Sequence, residues 1–282
     1  MKNRFCIISA ILPLLWTGAC TSRILQNEGV SEEEYGSKSV IAFSSGDGYC
    51  AEGGFSVIGI SYDDGEVIVN DIALPESYPD MFITTGRHNI PYGQSIDFYA
   101  LYPKELNIGI RDCNVSFTYG QEHRGMDILA GVAEGFVYRG NSAVDIVPLR
   151  FHHITGGLEI NVQGLDKDAE YIVRSLSARS VASAVYDLKS SLWSRKEGSV
   201  DTALSITGER QCLIPGEVEI SIQWSCMHNG IETAEYTATI PLTLTMGKIS
   251  KLRLKLSDSG SEKTGFDVDV EPWDQTGAEA EF

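Results

Sequence analysis

The chain has 282 residues, of which 22 are basic and 39 acidic, and a net charge of -17 at neutral pH. A surface this acidic repels nucleic acid and anionic lipid, so we exclude proteins that bind either through positive charge. The length allows one large folded domain or two smaller ones.

The first 19 residues have the features of a secretory signal. Lys2 and Arg4 precede the apolar run FCIISAILPLLW, which is too short to cross a bilayer. Small residues and then Cys20 follow, an order that resembles a bacterial lipoprotein signal, although Thr17 stands where an aliphatic residue is usual. We predict that Cys20 is lipidated and anchors the chain to the outer membrane. The alternative is an ordinary signal cleaved after Ala19.

Residues 20–38 are polar and lack periodicity, so they are predicted to form a tether. From residue 39 onward, short runs rich in β-branched and aromatic residues are separated by Gly, Asp, Asn and Pro, a pattern typical of strands. The predicted strands of the first half lie at 39–45, 55–61, 66–70, 81–85, 95–102, 114–119 and 126–133. The segment 178–188 is the one candidate for a short helix.

Several later runs alternate between apolar and polar residues, which predicts antiparallel sheets with one face on a core. Leu252, Leu254 and Leu256 share one face, and so do Phe266, Val268 and Val270 in the last run, FDVDV. The number of strands exceeds that of one sandwich. We therefore predict an all-β protein of two tandem antiparallel β-sandwich domains, at 39–143 and 144–282.

Four cysteines follow the leader and Cys20, namely Cys50, Cys113, Cys212 and Cys226. In an oxidising envelope they allow three disulfide connectivities. We favour Cys50 with Cys113 and Cys212 with Cys226, and the alternative is buried thiols. The chain contains no CxxC pair, so a zinc site has no support.

No catalytic or cofactor-binding motif is present, so we predict no enzyme, cofactor or metal site. His152 and His153 are adjacent on a predicted strand and point to opposite faces; we expect His153 inside and His152 outside. The acidic run from Asp63 to Glu66 lacks calcium-loop spacing and is predicted to be a hairpin turn. An aromatic platform around Trp193 and Trp224 would favour a glycan-binding protein instead.

Four stretches of the chain carry a resemblance to a known family. They are IDFYALYPKE (96–105), MDILAG (126–131), VPLRFHHITGGLEINV (147–162) and VEPW (270–273). Together they resemble the fimbrillin family of Bacteroidales. The first two are similar to segments of its first domain, the third resembles the strand that opens its second domain, and the fourth resembles its final strand.

The resemblance implies two transthyretin-like sandwiches, export as a lipoprotein, and assembly with other fimbrial subunits by strand donation. It also implies cleavage after Arg or Lys near the N-terminus, for which Arg23 and Lys38 are the candidates. No basic residue lies between Lys38 and Arg87, so a strand at 39–45 has no cleavage point after it. We therefore expect a structural or adhesive fimbrial subunit at the cell surface, with an unidentified surface ligand. The alternative is a monomeric glycan-binding surface lipoprotein.

Overall fold

The computed structural model describes residues 39–46, 53–78, 80–111, 114–140, 145–165, 168–232, 235–257 and 265–273. Within these ranges the chain is almost entirely β, with one 3-10 turn at Gln121–His123, so the predicted all-β class is confirmed. The strands are β1 (Ala42–Ser44), β2 (Phe55–Ser61), β3 (Val67–Pro75), β4 (Met81–Thr84), β5 (Ser95–Tyr102), β6 (Gly109–Arg111), β7 (Asn114–Tyr119), β8 (Leu129–Val137), β9 (Ile146–Pro148), β10 (Arg150–His153), β11 (Gly156–Gly164), β12 (Glu170–Asp187), β13 (Leu192–Ala203), β14 (Gln211–Leu213), β15 (Gly216–His228), β16 (Ile231–Glu232), β17 (Tyr236–Leu244), β18 (Lys248–Leu256) and β19 (Gly265–Pro272).

The first sheet has eight strands in the order β10-β8-β5-β2-β3-β4-β1-β9. Its two end strands, β9 and β10, are separated in the chain by Leu149 alone, so the sheet must curl until its ends meet. The ring of Phe43 on β1 accordingly contacts Phe55 on β2 and Phe98 on β5, with centroids 5.7 and 5.5 Å apart. The curled sheet thus encloses its own aromatic core.

The outer face of this sheet is also covered. Ile58, Tyr99 and Leu101 point away from the first core and pack against β7 and β12, which supply Phe117 and Tyr186. All five side chains are almost fully buried. The first sheet is therefore buried on both faces over β2 and β5 and forms a second core with the strands that cover it.

A third core lies between two further sheets. One has the order β14-β11-β18-β19, and the other has the path β16-β15-β12-β7-β6, with β13 paired to β12 and β17 paired to β15. The predicted inward face of β18 is confirmed, because Leu252, Leu254 and Leu256 are each fully buried. They pack with Ile220 and Trp224 of β15.

Strand β12 is 18 residues long and belongs to two cores. Leu176 and Ala178 near its middle lie in the third core, whereas Ala184 and Tyr186 near its end lie in the second. The predicted short helix at 178–188 is wrong, because those residues hydrogen-bond to β7, β13 and β15 as extended backbone. Pairing with three neighbours outweighs the helical preference of the local alanines.

Strand pairing crosses the predicted domain boundary in both directions. Strands β9 and β10, predicted to open the second domain, complete the first sheet by pairing with β1 and β8. Strand β7, from the first half, pairs instead with β12. The division at 143 and 144 therefore does not coincide with a break between sheets, and separate folding of two domains stays a prediction.

Candidate assembly surface

The final strand, β19, lies at an edge of the four-stranded sheet. It pairs antiparallel with β18, and the register places Val268 beside Leu252 and Phe266 beside Leu254. Among the described residues no strand pairs with its other edge. In the described part of the chain, the backbone groups on that edge have no strand partner, which is the feature by which an edge strand can pair with another segment.

The apolar face of β19 is open. Phe266, Val268 and Val270 are 47%, 37% and 47% exposed, although their cross-strand neighbours Leu254 and Leu252 are fully buried. The prediction that these three residues face a core is wrong. They lie on the core side of the sheet, but at its edge that side is not covered.

The opposite face of β19 is held by ion pairs to β18. Lys255 Nζ lies 2.6 Å from Asp267 Oδ2, and Lys251 pairs with Glu271. The hydrogen bond and charge of Lys255 lower the pKa of Asp267, and the bond to Glu271 raises the pKa of Lys251. These exposed pairs contribute little stability but favour one register over its neighbours.

Trp273 fixes the C-terminal end of β19. Its ring stacks on that of His153 at 4.2 Å between centroids and 19° between planes, and the Arg210 guanidinium lies 5.0 Å from its centre. Gly157 lies beneath it, where a Cβ would come within 3.0 Å of the indole. The backbone N–H of Trp273 donates to the Gly247 carbonyl. The strand is therefore anchored at its end while its apolar face stays open.

The two adjacent histidines point to opposite faces, as predicted. His153 is buried, as expected, and its Nδ1 lies 2.8 Å from Asp127 Oδ1. His152 was expected to face solvent, but the sheet that contains β12 covers that side. His152 Nε2 lies 2.9 Å from Tyr186 Oη on β12. Burial lowers the pKa of His152.

The first strand is deeply embedded. Strand β1 pairs antiparallel with β4 and parallel with β9, and Phe43 at its centre is fully buried. Ser39, before the strand, exchanges two backbone hydrogen bonds with His88, at 2.9 and 2.8 Å. Asp71 accepts from the Thr85 hydroxyl, at 2.5 Å, and lies 2.8 Å from His88 Nε2. We call the bonds of Asp71 to Thr85 and His88 the Asp71 clasp. It holds His88 in place, and His88 is the backbone partner of Ser39 just before β1.

The predicted bridge between Cys212 and Cys226 is wrong, since the two residues stay as separate thiols. Cys226 lies ten residues after Gly216 on the extended strand β15, or about 33 Å along it. Cys212 lies four residues before Gly216, a reach of at most about 14 Å, so the two Cα atoms are at least about 19 Å apart. A disulfide requires Cα atoms within about 7 Å. Burial, followed by the charge of Asp127, raises the pKa of the Cys212 thiol to about 12.

The predicted lipidation, cleavage and remaining disulfide positions lie outside the described residues. They are Cys20, Arg23, Lys38, Cys50 and Cys113. The described part contains no helix with the length and apolarity to cross a bilayer, and no cluster of three or more His, Cys, Asp or Glu side chains placed to hold a metal.

The tryptophan platform, which belonged to the alternative of a glycan-binding protein, does not form. Trp224 is fully buried and its Nε1 donates to the Ser257 carbonyl at 3.1 Å. Trp193 is half-buried and its Nε1 donates to the Ile154 carbonyl at 2.7 Å. Both indoles serve the cores, so neither presents a free face to a sugar. Asp63 and Asp64 lie in the turn between β2 and β3, as predicted.

The family model described as fimbrillin-like matches residues 80–273. A candidate cell adhesion protein of Bacteroides uniformis has a similar structure, with a TM-score of 0.59 and 15% identity over 84% of this chain and 98% of that chain. One of Bacteroides ovatus has a TM-score of 0.56 at 12% identity, over 84% and 98%. One of Parabacteroides distasonis has a TM-score of 0.54 at 9% identity, over 85% and 99%.

No curated protein matches the chain. At these identities the similar structures establish the fold alone, whereas the family match spans well over half of the chain. The chain therefore belongs to the fimbrillin-like family.

Proposed function

We propose that this protein is a structural or adhesive subunit of surface fimbriae, exported as a lipoprotein through Cys20 and assembled with other subunits by strand donation. The observation that carries the proposal is the open apolar row of Phe266, Val268 and Val270 on an edge strand. Membership of the fimbrillin-like family supports it.

An edge strand with an apolar face is a liability unless something covers it, because its unpaired backbone invites any extended chain. Natural proteins usually protect such edges with charge, proline or a bulge. The polar face of β19 has charged partners, but its apolar face has no such protection among the described residues. A strand from a neighbouring subunit would pair with the backbone of β19, and its side chains on the same face would lie against the apolar row.

The position of β1 limits what proteolytic cleavage near the N-terminus could remove. Cleavage after Arg23 or Lys38 would release the lipid anchor but leave β1 and Phe43 in place, since the next basic residue is Arg87. Removal of β1 would also uncover the aromatic core that Phe43 shares with Phe55 and Phe98. The proposal therefore includes anchor, tip and accessory positions as well as a stalk.

The test uses protein isolated from its own cells, run unboiled and boiled on a denaturing gel, with the N-terminal mass of each band. Strand-exchanged polymers should give a ladder that collapses on boiling, and N-termini at Ile24 or Ser39 would identify a processed subunit. An acylated Cys20 in a band that joins partner subunits would identify an anchor. A single monomeric band with no co-isolated subunit would overturn the proposal and favour a monomeric surface binder.

A further inference from the structure

Two tyrosines project from neighbouring turns at one end of the first sheet. Tyr62, in the turn after β2, is 71% exposed, and Tyr92, in the turn before β5, is 70% exposed. They are the most exposed aromatic residues in the part of the chain that the structure describes. Neither ring packs in any of the three hydrophobic cores.

Backbone hydrogen bonds hold these two turns side by side with a third turn, which follows β8 at Tyr138. The Tyr62 N–H donates to the Ser95 carbonyl at 2.9 Å, and the Gly93 N–H donates to the Tyr138 carbonyl at 2.8 Å. Ser95 lies three residues after Tyr92, at most about 10 Å along the chain. Adding one strand spacing of about 4.8 Å puts the two tyrosine backbones within about 15 Å of each other. That is the scale of a short oligosaccharide.

Gly140 brings the turn after β8 beside the ring of Tyr92. A Cβ added at Gly140 would lie 3.4 Å from Tyr92 Cδ2. Gly140 and Gly93 both have positive φ values, 71° and 77°, so both turns suit glycine.

Carboxylates border the pair. Asp63 and Asp64 follow Tyr62 directly and are exposed. The Asp64 Oδ1 accepts a hydrogen bond from the Glu66 N–H at 3.0 Å. Bonds from the Ser61 side chain and this N–H lower the pKa of Asp64, so it stays an ionised acceptor. Carboxylates accept hydrogen bonds from hydroxyl groups and repel anionic ligands.

We propose that Tyr62, Tyr92 and the flanking carboxylates of Asp63 and Asp64 form a binding site for a neutral oligosaccharide. The electron-rich faces of the rings pack against sugar C–H groups, and the carboxylates accept from sugar hydroxyls. Their negative charge disfavours sialylated or sulfated glycans. The inference deepens the proposed adhesive role and rests on it for its biological purpose.

A protein partner fits this surface less well. Two tyrosine side chains of about 150 to 250 Å² each, about 70% exposed, offer roughly 300 Å² of aromatic area together, whereas a stable protein interface buries about 800 Å² on each partner. The residues next to the two tyrosines in the chain are mainly acidic or small, and the neighbouring turn after β8 adds the partly exposed Val137 and Tyr138 and the exposed Arg139. The open face of β19 fits a protein partner better.

The experiment measures binding of the full mature chain to arrays of neutral hexose and N-acetylhexosamine oligosaccharides, with sialylated and sulfated glycans on the same array. Tyr62→Ala and Tyr92→Ala should each weaken binding to a neutral glycan by roughly tenfold, the scale of one lost aromatic contact. Tyr62→Phe and Tyr92→Phe should retain it. The matched control is Tyr78→Ala, a tyrosine 36% exposed in the turn between β3 and β4.

Three results would overturn the site: no neutral glycan bound by the unmodified chain, binding restricted to anionic glycans, or binding unchanged in both alanine variants. The same variants are run unboiled on the assembly gel. Because the tyrosines lie away from β19, their ladder should match that of the unmodified protein. Loss of glycan binding with an intact ladder separates this inference from the proposed role in assembly.

Discussion

Trp273 lies flat on His153, with 4.2 Å between the ring centroids and 19° between the planes. This stack joins the final strand of the fold to β10, a strand of the first sheet. His153 is in turn bonded to Asp127, which precedes β8. The C-terminal end of β19 is thereby connected to the first sheet as well as to its own strand partner.

Trp273→Ala should lower the free energy of unfolding by about 3 to 5 kcal/mol, because it removes a large side chain that is 6% exposed and packs on His153, Ile249 and Cys212. The measurement is urea unfolding followed by circular dichroism. Trp273→Phe, which retains an aromatic ring, should lose clearly less. Equal losses for the two variants would mean that an aromatic ring as such contributes nothing here, and a loss near zero for Trp273→Ala would mean that packing at this position is unimportant.

Val268→Asp should abolish the boil-sensitive ladder of subunits, since it places a charge in the apolar row that an incoming strand would cover. The free energy of unfolding should change by less than about 1 kcal/mol, because the residue is already partly exposed. Asp269→Ser, on the next residue and the opposite face of β19, is the matched control and should leave the ladder unchanged. An undiminished ladder in Val268→Asp would exclude β19 from assembly.

Gly131→Ala should destabilise the fold by about 1 to 3 kcal/mol, because the added Cβ would come within 2.8 Å of the buried Phe151 ring. Gly265→Ala, also in a strand, has no atom within 4 Å of its Cβ position and serves as the control. Urea midpoints of both variants test the pair. The close packing of β8 on β10 would be refuted by two equal midpoints.

The Asp71 clasp should make stability depend on acid pH. Burial raises the pKa of Asp71, but hydrogen bonds from Thr85, His88 and two backbone N–H groups outweigh it, so the net pKa lies below the ordinary value of 3.8. The stabilisation is therefore fully present above about pH 3.8 and is lost as the pH falls through the lower pKa of the folded state.

Asp71→Asn should cost about 1 to 3 kcal/mol at neutral pH, since it weakens bonds to a charged acceptor, and the difference from the unmodified protein should shrink at acid pH. Unfolding free energies measured from neutral pH down to strongly acid pH test this. The exposed Asp63→Asn is the control. A difference that stays constant with pH would contradict the assignment.

Cys212 and Cys226 should resist alkylation in the folded protein. Both are buried, and burial raises the pKa of Cys212 to about 12, so almost no thiolate forms at about pH 8. Iodoacetamide labelling followed by peptide mass spectrometry should find both peptides unmodified until concentrated urea is added. Recovery of a disulfide-linked pair of these two peptides would contradict the structure.

Alternating sequence patterns predicted most strands, because period two requires extended backbone whatever the neighbours are. The same patterns could not reveal what each face contacts. Val268 alternates as regularly as Leu252, yet one is exposed and the other buried, since only the position of a strand within its sheet decides cover. The family resemblance, based on motifs such as the one containing His153, is confirmed by the family match.

Long-range pairing explains the other errors. The alanines near 178–188 favour a helix locally, but three neighbouring strands hold that segment extended. His152 was expected in solvent because nothing in the sequence indicated that β12 crosses over the first sheet. The hydrogen bond between His152 and Tyr186 joins residues 34 positions apart, beyond the range of any local pattern.

Strand β12 spans about 60 Å as 18 extended residues, and its two halves are embedded in different cores. A pulling force applied along β12 would pass through both cores, because one continuous backbone connects them. The hydrogen bonds to the neighbouring strands would have to shear before either half of β12 could leave its core. Pairing with β13 continues through the segment between the two halves, so the strand should resist tension without a weak hinge that extends first.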